Sequence, residues 1–231
     1  MIEGVDLDVE VRRVDPDRWL ASRFIADRGA RADVIALYAF DHELARASVV
    51  TSSDIAAEIR LIWWREALEE IYSGSAVRRH PVAGELAVAA RARSLPRARL
   101  EAMVDARFQL LGRSHLETDE ALAWAAAAEG SAARLAAQIL DPAGDSGLAG
   151  PAGVVWGLML LRRSGRAGGP EFDHRMRQEL GDARAAARRL SSLAFPATIV
   201  AALARADLRS PSPSELEKRA RLAWSALTGW L

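Results

Sequence analysis

The chain has 231 residues, half of them hydrophobic, and its 31 basic residues balance its 31 acidic ones. This length and composition fit one domain with a sizeable core, and the zero net charge gives no sign of a nucleic-acid-binding surface. The absence of cysteine excludes disulfides, thiolate-bound metals and thiol nucleophiles.

No segment of the sequence has the pattern of a signal peptide or of a membrane span. The N-terminus, MIEGVDLDVEV, is acidic and lacks a basic stretch followed by an apolar run. The most apolar stretch, residues 152–161, has ten residues before Arg162 and Arg163, too few to cross a bilayer. The sequence therefore predicts a cytoplasmic protein with no transmembrane segment.

Helical periodicity dominates the chain from one end to the other. Apolar residues recur three and four positions apart, and the nine prolines fall between these runs, where the first turn of a helix tolerates them. Helices are predicted near residues 17–26, 31–49, 53–73, 81–93, 96–112, 118–140, 151–163, 172–193, 196–206 and 213–229. We expect one all-α domain over residues 1–231, with residues 1–16 as an N-terminal extension.

The segment YAFDHELARASVV, residues 38–50, places several polar side chains within two helical turns. They are Asp41, His42, Glu43 and Arg46. They are either a catalytic cluster or the polar rim of a core helix. An apolar stripe on the same helix favours the second reading, with Glu43 and Arg46 paired three positions apart.

The motifs that follow carry a family resemblance. WWR at 63–65 and HPV at 80–82 come after YAF at 38–40, and this order resembles the squalene/phytoene synthase family. The runs at 95–111, 122–140 and 152–164 extend the similarity over roughly residues 17–200. The resemblance implies an isoprenoid-synthase-like bundle of α-helices with a central pocket for prenyl chains.

The chain departs from this family at both aspartate-rich motifs. In active members the carboxylates of these motifs bind Mg²⁺, which holds the substrate diphosphate. Aligned on YAF, the three aspartates of the first motif fall on Ala45, Arg46 and Val49, and the arginine of the family falls on His42. Aligned on Gly153, the polar residues of the second motif fall on Gly157, Leu160, Ser164 and Gly168. We therefore expect no metal site.

No catalytic residue is assigned among the remnant motif positions. These positions are Asp41, His42, Ala45, Arg46, Val49, Ser164 and Gly168. No cofactor is expected, and Mg²⁺ enters only if the chain is an active synthase.

A second set of residues is predicted to line the central pocket, as the resemblance implies. They are Trp19, Tyr38, Asp41, His42, Ala45, Ala128, Glu129, Ala132, Trp156, Gly157 and Leu160. Glu129 is unusual because it stands among alanines, and a buried carboxylate needs a partner. Arg134 and His42 are the candidate partners.

Three functions remain open at this stage. YAFDHELAR and the alanine-rich run at 122–140 resemble the branch of the family that contains a mitochondrial assembly factor for respiratory complex I. That resemblance implies a non-catalytic protein, peripheral to the inner membrane, that binds an isoprenoid or another apolar ligand or assists a membrane complex.

The alternatives are an active prenyltransferase and an all-α interaction module. The prenyltransferase would hold diphosphate with arginines instead of Mg²⁺, drawn from Arg46, Arg60, Arg65, Arg162 and Arg163.

Overall fold

Helices joined by turns, with no strand, make up the part of the chain that the computed structural model describes, residues 6–47, 54–209 and 214–231. The α-helices are α1 (Leu7–Val14), α2 (Pro16–Ser22), α3 (Arg28–Ala47), α4 (Asp54–Ser73), α5 (Pro81–Ala92), α6 (Arg97–Phe108), α7 (Thr118–Ala127), α8 (Glu129–Leu140), α9 (Gly150–Arg163), α10 (Pro170–Ala187), α11 (Ala204–Arg209) and α12 (Glu215–Thr228). Short 3-10 helices cover Ser146–Ala149, Phe195–Ala197 and Ile199–Leu203. The predicted all-α class is confirmed.

Proline positions predicted the helix starts better than the helix lengths. Pro16, Pro81, Pro151 and Pro170 all lie in the first turn of a helix, where the missing N–H is not needed. The predicted helix 118–140 is two helices, because the backbone at Ala128 leaves the helical region with φ −81° and ψ −82°. The predicted helix 196–206 begins as 3-10 turns, and the predicted helix 172–193 ends at residue 187.

The segment that we treated as an N-terminal extension contains α1. Its Leu7 and Val11 are buried, and the helix packs against α3. The Asp6 carboxylate accepts hydrogen bonds from the backbone N–H groups of Asp8 and Val9 and so caps the helix. Residues 6–14 are therefore part of the folded body.

Two apolar clusters form the core of the described chain. The α3 cluster is built from α1, α3, α4, α5, α6 and one face of α8. The α9 cluster is built from α7, α9, α10, the 3-10 segments after residue 194 and α12. α8 packs against both α3 and α9, so the seam between the two clusters runs past α8.

The WWR and HPV motifs join α4 to the start of α5. Trp64 is buried and meets Phe40 edge-on, with ring centroids 5.2 Å apart. The His80 ring lies 5.2 Å from both Trp63 and Trp64, in edge-to-face contact. Pairs of this kind contribute about 0.5–1.5 kcal/mol each beyond their buried area. The residues behind the family resemblance therefore hold the fold together here.

No helix in the described ranges is both long and apolar enough to cross a membrane.

The crossing of α8 and α9 depends on a glycine. A β-carbon at Gly153 would overlap the backbone of Glu129 and come within 2.8 Å of the Ala133 methyl group. The absence of a side chain at residue 153 lets the two helices touch at the seam, which leaves little space between them.

We predict that Gly153→Ala lowers the free energy of unfolding by about 2 kcal/mol or more, because the backbone of α8 cannot move aside without disturbing the seam. Chemical denaturation followed by circular dichroism measures the change. The control is Gly181→Ala in α10, where a β-carbon meets nothing within 4 Å. This control should raise stability by about 0.5–1 kcal/mol. Equal effects of the two substitutions would contradict the close crossing.

Candidate functional site

Four charged side chains meet at the seam between the two apolar clusters. Arg18 comes from α2, Asp41 from α3, Arg107 from α6 and Glu129 from α8. None of the four residues is more than 5% exposed. We call this group the central charge cluster. Each charge would be very unfavourable alone at this depth, so the cluster exists only because its members pair with one another.

The central charge cluster is a closed ring of alternating charges. Arg18 donates from Nη2 to Asp41 Oδ2 at 2.6 Å and from Nη1 to Glu129 Oε2 at 3.0 Å. Arg107 donates from Nη2 to Asp41 Oδ1 at 2.7 Å and to Glu129 Oε1 at 3.0 Å. Every carboxylate oxygen in the ring therefore accepts a hydrogen bond from a guanidinium group.

Asp15 extends the ring to the start of α2. Its Oδ1 accepts the backbone N–H of Arg18 at 3.0 Å and so caps the helix, while its Oδ2 accepts from Arg18 Nε. The cap fixes the position of the Arg18 guanidinium at the first turn of α2. The turn between α1 and α2 is thus tied to the centre of the molecule.

Aromatic rings form the walls of the cluster. The Arg18 guanidinium lies 4.8 Å from the centre of the Tyr38 ring and 6.0 Å from that of Trp156. The Arg107 guanidinium lies 5.0 Å from the centre of the Trp124 ring. These cation–π contacts favour the charged arginines at a buried site. Within the described residues, the N–H groups of Arg107 Nε, Trp124 Nε1 and Trp156 Nε1 are buried without a hydrogen-bond acceptor.

The two carboxyl groups of the ring have opposite pKa shifts. Burial would raise the pKa of Asp41, but the adjacent Arg107 and Arg18 outweigh it and hold that pKa well below its usual range. Burial, together with the negative charge of Asp41, raises the pKa of Glu129 to about 7. Burial also raises the pKa of the Tyr38 hydroxyl to about 12, so the phenol stays neutral. Within the ring, Glu129 is therefore the carboxyl group that takes up a proton first as the pH falls.

Little free space remains at the centre. The cavity beside the ring measures about 10 Å³ and is bordered by Tyr38, Glu129, Ala132 and Trp156 among others. That volume accepts about one water molecule, whereas sites for small organic ligands measure roughly 300–1,000 Å³. Four of the predicted pocket residues thus border a space that the central charge cluster nearly fills.

The other predicted pocket residues lie elsewhere or pack against protein. The Trp19 indole donates to Asp8 Oδ2 at 3.0 Å, on the side of α1. His42 and Ala45 are half-buried on α3, and burial lowers the pKa of His42. Ala128 is buried at the α7–α8 break, and Leu160 packs on the α9 cluster. Gly157 lies against Ala125 and against the Glu129 side chain, so it borders the central charge cluster.

The expected partners of Glu129 were wrong. Arg18 and Arg107 bind its carboxylate, and neither Arg134 nor His42 does. The Arg134 guanidinium lies instead against Gly150, at the start of α9. Glu129 occupies the first position of α8, so its side chain leaves the helix toward α2 and α6.

The remnant motif positions do not converge on one site. Arg46 pairs with Glu43 at 2.8 Å, as predicted. Ser164 caps the end of α9, with its hydroxyl donating to the Leu161 carbonyl, and Gly168 lies in the exposed loop that follows. Val49 lies outside the described residues. Within the described ranges, no three His, Cys, Asp or Glu side chains are grouped in a way that could hold a metal ion.

The arginines considered for diphosphate binding are also dispersed. Arg46 and Arg60 border the same surface cleft of about 480 Å³. Arg65 pairs with Asp105 on another face of α4. Arg162 and Arg163 bind Asp173, Asp207 and Asp17 at the end of α9.

Sequence reasoning missed Arg18 and Arg107, although the pattern contained a signal for one of them. Arg107 follows Leu100, Met103 and Val104 at spacings of seven, four and three, which places it on the buried stripe of α6. Asp41 holds the same kind of position on α3. Charges of opposite sign on two apolar stripes indicate a buried pair, but nothing in the sequence says which helices meet.

Comparison with known proteins agrees with this fold. The family profile described as squalene/phytoene synthase matches residues 11–168. The crystal structure of squalene synthase HpnC from Alicyclobacillus acidocaldarius is similar, with a TM-score of 0.69 and 16% identity over 97% of this chain and 96% of that one. No protein of curated function matches the sequence.

We predict that Arg107→Met lowers the free energy of unfolding by about 3–5 kcal/mol, because it removes one of the two guanidinium groups that pair with the buried Asp41 and Glu129. Combining Arg107→Met with Glu129→Gln should cost at least about 1 kcal/mol less than the sum of the two single substitutions. Arg65→Met, which breaks an exposed ion pair, is the matched control and should cost about 1 kcal/mol or less. Additive effects in the double variant would argue against the ring.

Stability should also depend on pH through Glu129. Its pKa is raised in the folded protein, so between about pH 4.5 and 7 the folded state binds more protons than the unfolded state. The free energy of unfolding should therefore fall as the pH rises through this window, by up to about 3 kcal/mol. Glu129→Gln should flatten this dependence, whereas Glu66→Gln at the surface should keep it. Parallel curves for the wild type and Glu129→Gln would contradict the assignment.

Proposed function

The chain belongs to the squalene/phytoene synthase family, and from this premise we propose that it is a non-catalytic member that acts as an assembly scaffold. The observation that supports the proposal best is the central charge cluster. In a prenyltransferase the centre of the bundle has to admit an extended apolar chain. Here two ion-paired arginines and two carboxylates fill the space where α2, α3, α6 and α8 meet.

Residue chemistry at the motif positions supports the same proposal. Mg²⁺ prefers carboxylate oxygens in octahedral geometry. Ala45, Arg46, Ser164 and Gly168 provide a methyl, a guanidinium, a hydroxyl and no side chain at all. Of the acids just before the first motif, Glu43 pairs with Arg46, and two guanidinium groups already bind the oxygens of Asp41. These residues do not fit a Mg²⁺–diphosphate site.

The space at the centre argues for a scaffold over a carrier of prenyl chains. A cavity of about 10 Å³ cannot admit a prenyl chain unless the ring opens. Opening would separate four buried charges, which is costly at low dielectric. We therefore propose that the chain binds through its surface.

The partner that we propose is a respiratory membrane complex during its assembly. The support is the resemblance of YAFDHELAR and of the alanine-rich run at 122–140 to the branch of the family with that role. A scaffold of this kind would work at the periphery of the inner membrane. Affinity capture of the tagged chain, followed by identification of bound subunits, tests the partner. A deletion strain with unchanged respiratory complexes would contradict it.

We predict no turnover of prenyl diphosphates. Purified chain incubated with farnesyl or geranylgeranyl diphosphate and Mg²⁺ should release no pyrophosphate above the buffer control. The squalene synthase HpnC, assayed in parallel, is the positive control. Release of pyrophosphate that EDTA abolishes would mean that Mg²⁺ is held by other carboxylates, and it would overturn the non-catalytic proposal.

A further inference from the structure

α12 carries a second apolar stripe that faces away from the body. Leu216, Ala220, Trp224 and Leu227 follow one another at spacings of four, four and three, so they share one side of the helix. Leu216 is 78% exposed, Trp224 67% and Leu227 84%, and the nearby Trp230 is 57% exposed. So many large apolar side chains on one exposed face mark an interaction surface.

The helix that carries this stripe is held firmly to the body. Its opposite side buries Leu222 and Ser225 and packs on the 3-10 helix at residues 199–203 and on α2. The Lys218 ammonium lies 3.6 Å from Asp17 of α2. One side of α12 is already buried against the body. The exposed stripe is therefore a second apolar side of the helix and not the side that packs into the core.

The stretch of sequence that contains the stripe is basic, although Glu215 and Glu217 of α12 pair with Lys218 and Arg221. Residues 184–231 contain eight arginines and lysines and three acidic residues, so this stretch is positive in a chain whose net charge is zero. The Arg188 guanidinium lies 4.3 Å from the centre of the Trp230 ring. Arg184 donates from Nε to the Leu231 carbonyl at 2.8 Å and, with Trp224 and Trp230, borders a groove of about 720 Å³. Positive charge and large apolar groups thus occur on the same face.

We propose that this face, the α12 stripe with the arginines at the end of α10, docks on the surface of an anionic phospholipid bilayer. Tryptophan rings favour the interface between headgroups and acyl chains. A helix with an apolar stripe and flanking basic residues lies in that interface and gains affinity from anionic lipids. From Leu216 to Leu227 the stripe is roughly 16 Å long, and a single straight helix face suits a flat surface.

The inference deepens the proposed function, because it names the surface that would hold the scaffold at a membrane. It rests on that proposal for its biological setting. Its test needs neither a protein partner nor a substrate, so failure here and failure of the non-catalytic proposal are separate results.

The experiment is co-sedimentation of the full chain with vesicles. Vesicles of phosphatidylcholine with phosphatidylglycerol should bind it at least about tenfold more strongly than phosphatidylcholine alone, and added salt should weaken the binding. Leu227→Glu should weaken it by about tenfold or more, since a charge replaces an inserted leucine. Arg188→Glu, which reverses the charge beside the Trp230 ring, should weaken it by at least about fivefold.

The matched control is Ile59→Glu on α4, which changes another exposed apolar residue, 62% exposed, far along the chain from the α12 stripe. This control should bind vesicles as the wild type does. Equal binding to neutral and anionic vesicles, or no effect of Leu227→Glu, would overturn the proposal. A dimer in solution that Leu227→Glu dissociates, without vesicle binding, would assign the stripe to a second copy and would also overturn it.

Discussion

Buried pairing between two arginines and two carboxylates is the interaction on which the rest of this structure depends. Arg18, Asp41, Arg107 and Glu129 come from four helices, and each needs the others because an isolated charge at that depth is strongly unfavourable. Because these four charges have to pair, the ring fixes where α2, α3, α6 and α8 meet. An apolar replacement of the same volume could be as stable, so the ring contributes more to the choice of one arrangement than to net stability.

The ring lies at the seam between the two apolar clusters, and the cavity beside it measures only about 10 Å³. Two apolar clusters form the core of the described residues, and α8 packs against both. Gly153 lets α9 approach the backbone of α8, and the tryptophans above the arginines fill the remaining space. The chain thus shares the fold of squalene synthase HpnC, and the centre of its described helices is a ring of buried ion pairs. We propose that a molecule with such a closed centre binds through its surface, and that the exposed stripe of α12 is one such surface.

Local patterns were enough to predict the helices, the proline joints and the paired Glu43 and Arg46, because these depend on neighbours in the sequence. The WWR and HPV motifs also led to the correct family. The break at Ala128 was not predicted, since no proline marks it. The partners of Glu129 were missed because Arg18 lies 111 positions away, and only the packing of α2 and α6 on α8 brings them together. The signal available in the sequence was Arg107, a charged residue on the apolar stripe of α6.

A crystal structure of the chain soaked with a non-hydrolysable farnesyl diphosphate analogue tests most directly whether the centre is closed. We expect Arg18 and Arg107 to bridge Asp41 and Glu129 as they do here, with no ligand between α3 and α8. An analogue chain lying between these helices, with the arginines turned toward its diphosphate, would contradict the central claim. It would show that the charge cluster is a gate to a retained pocket.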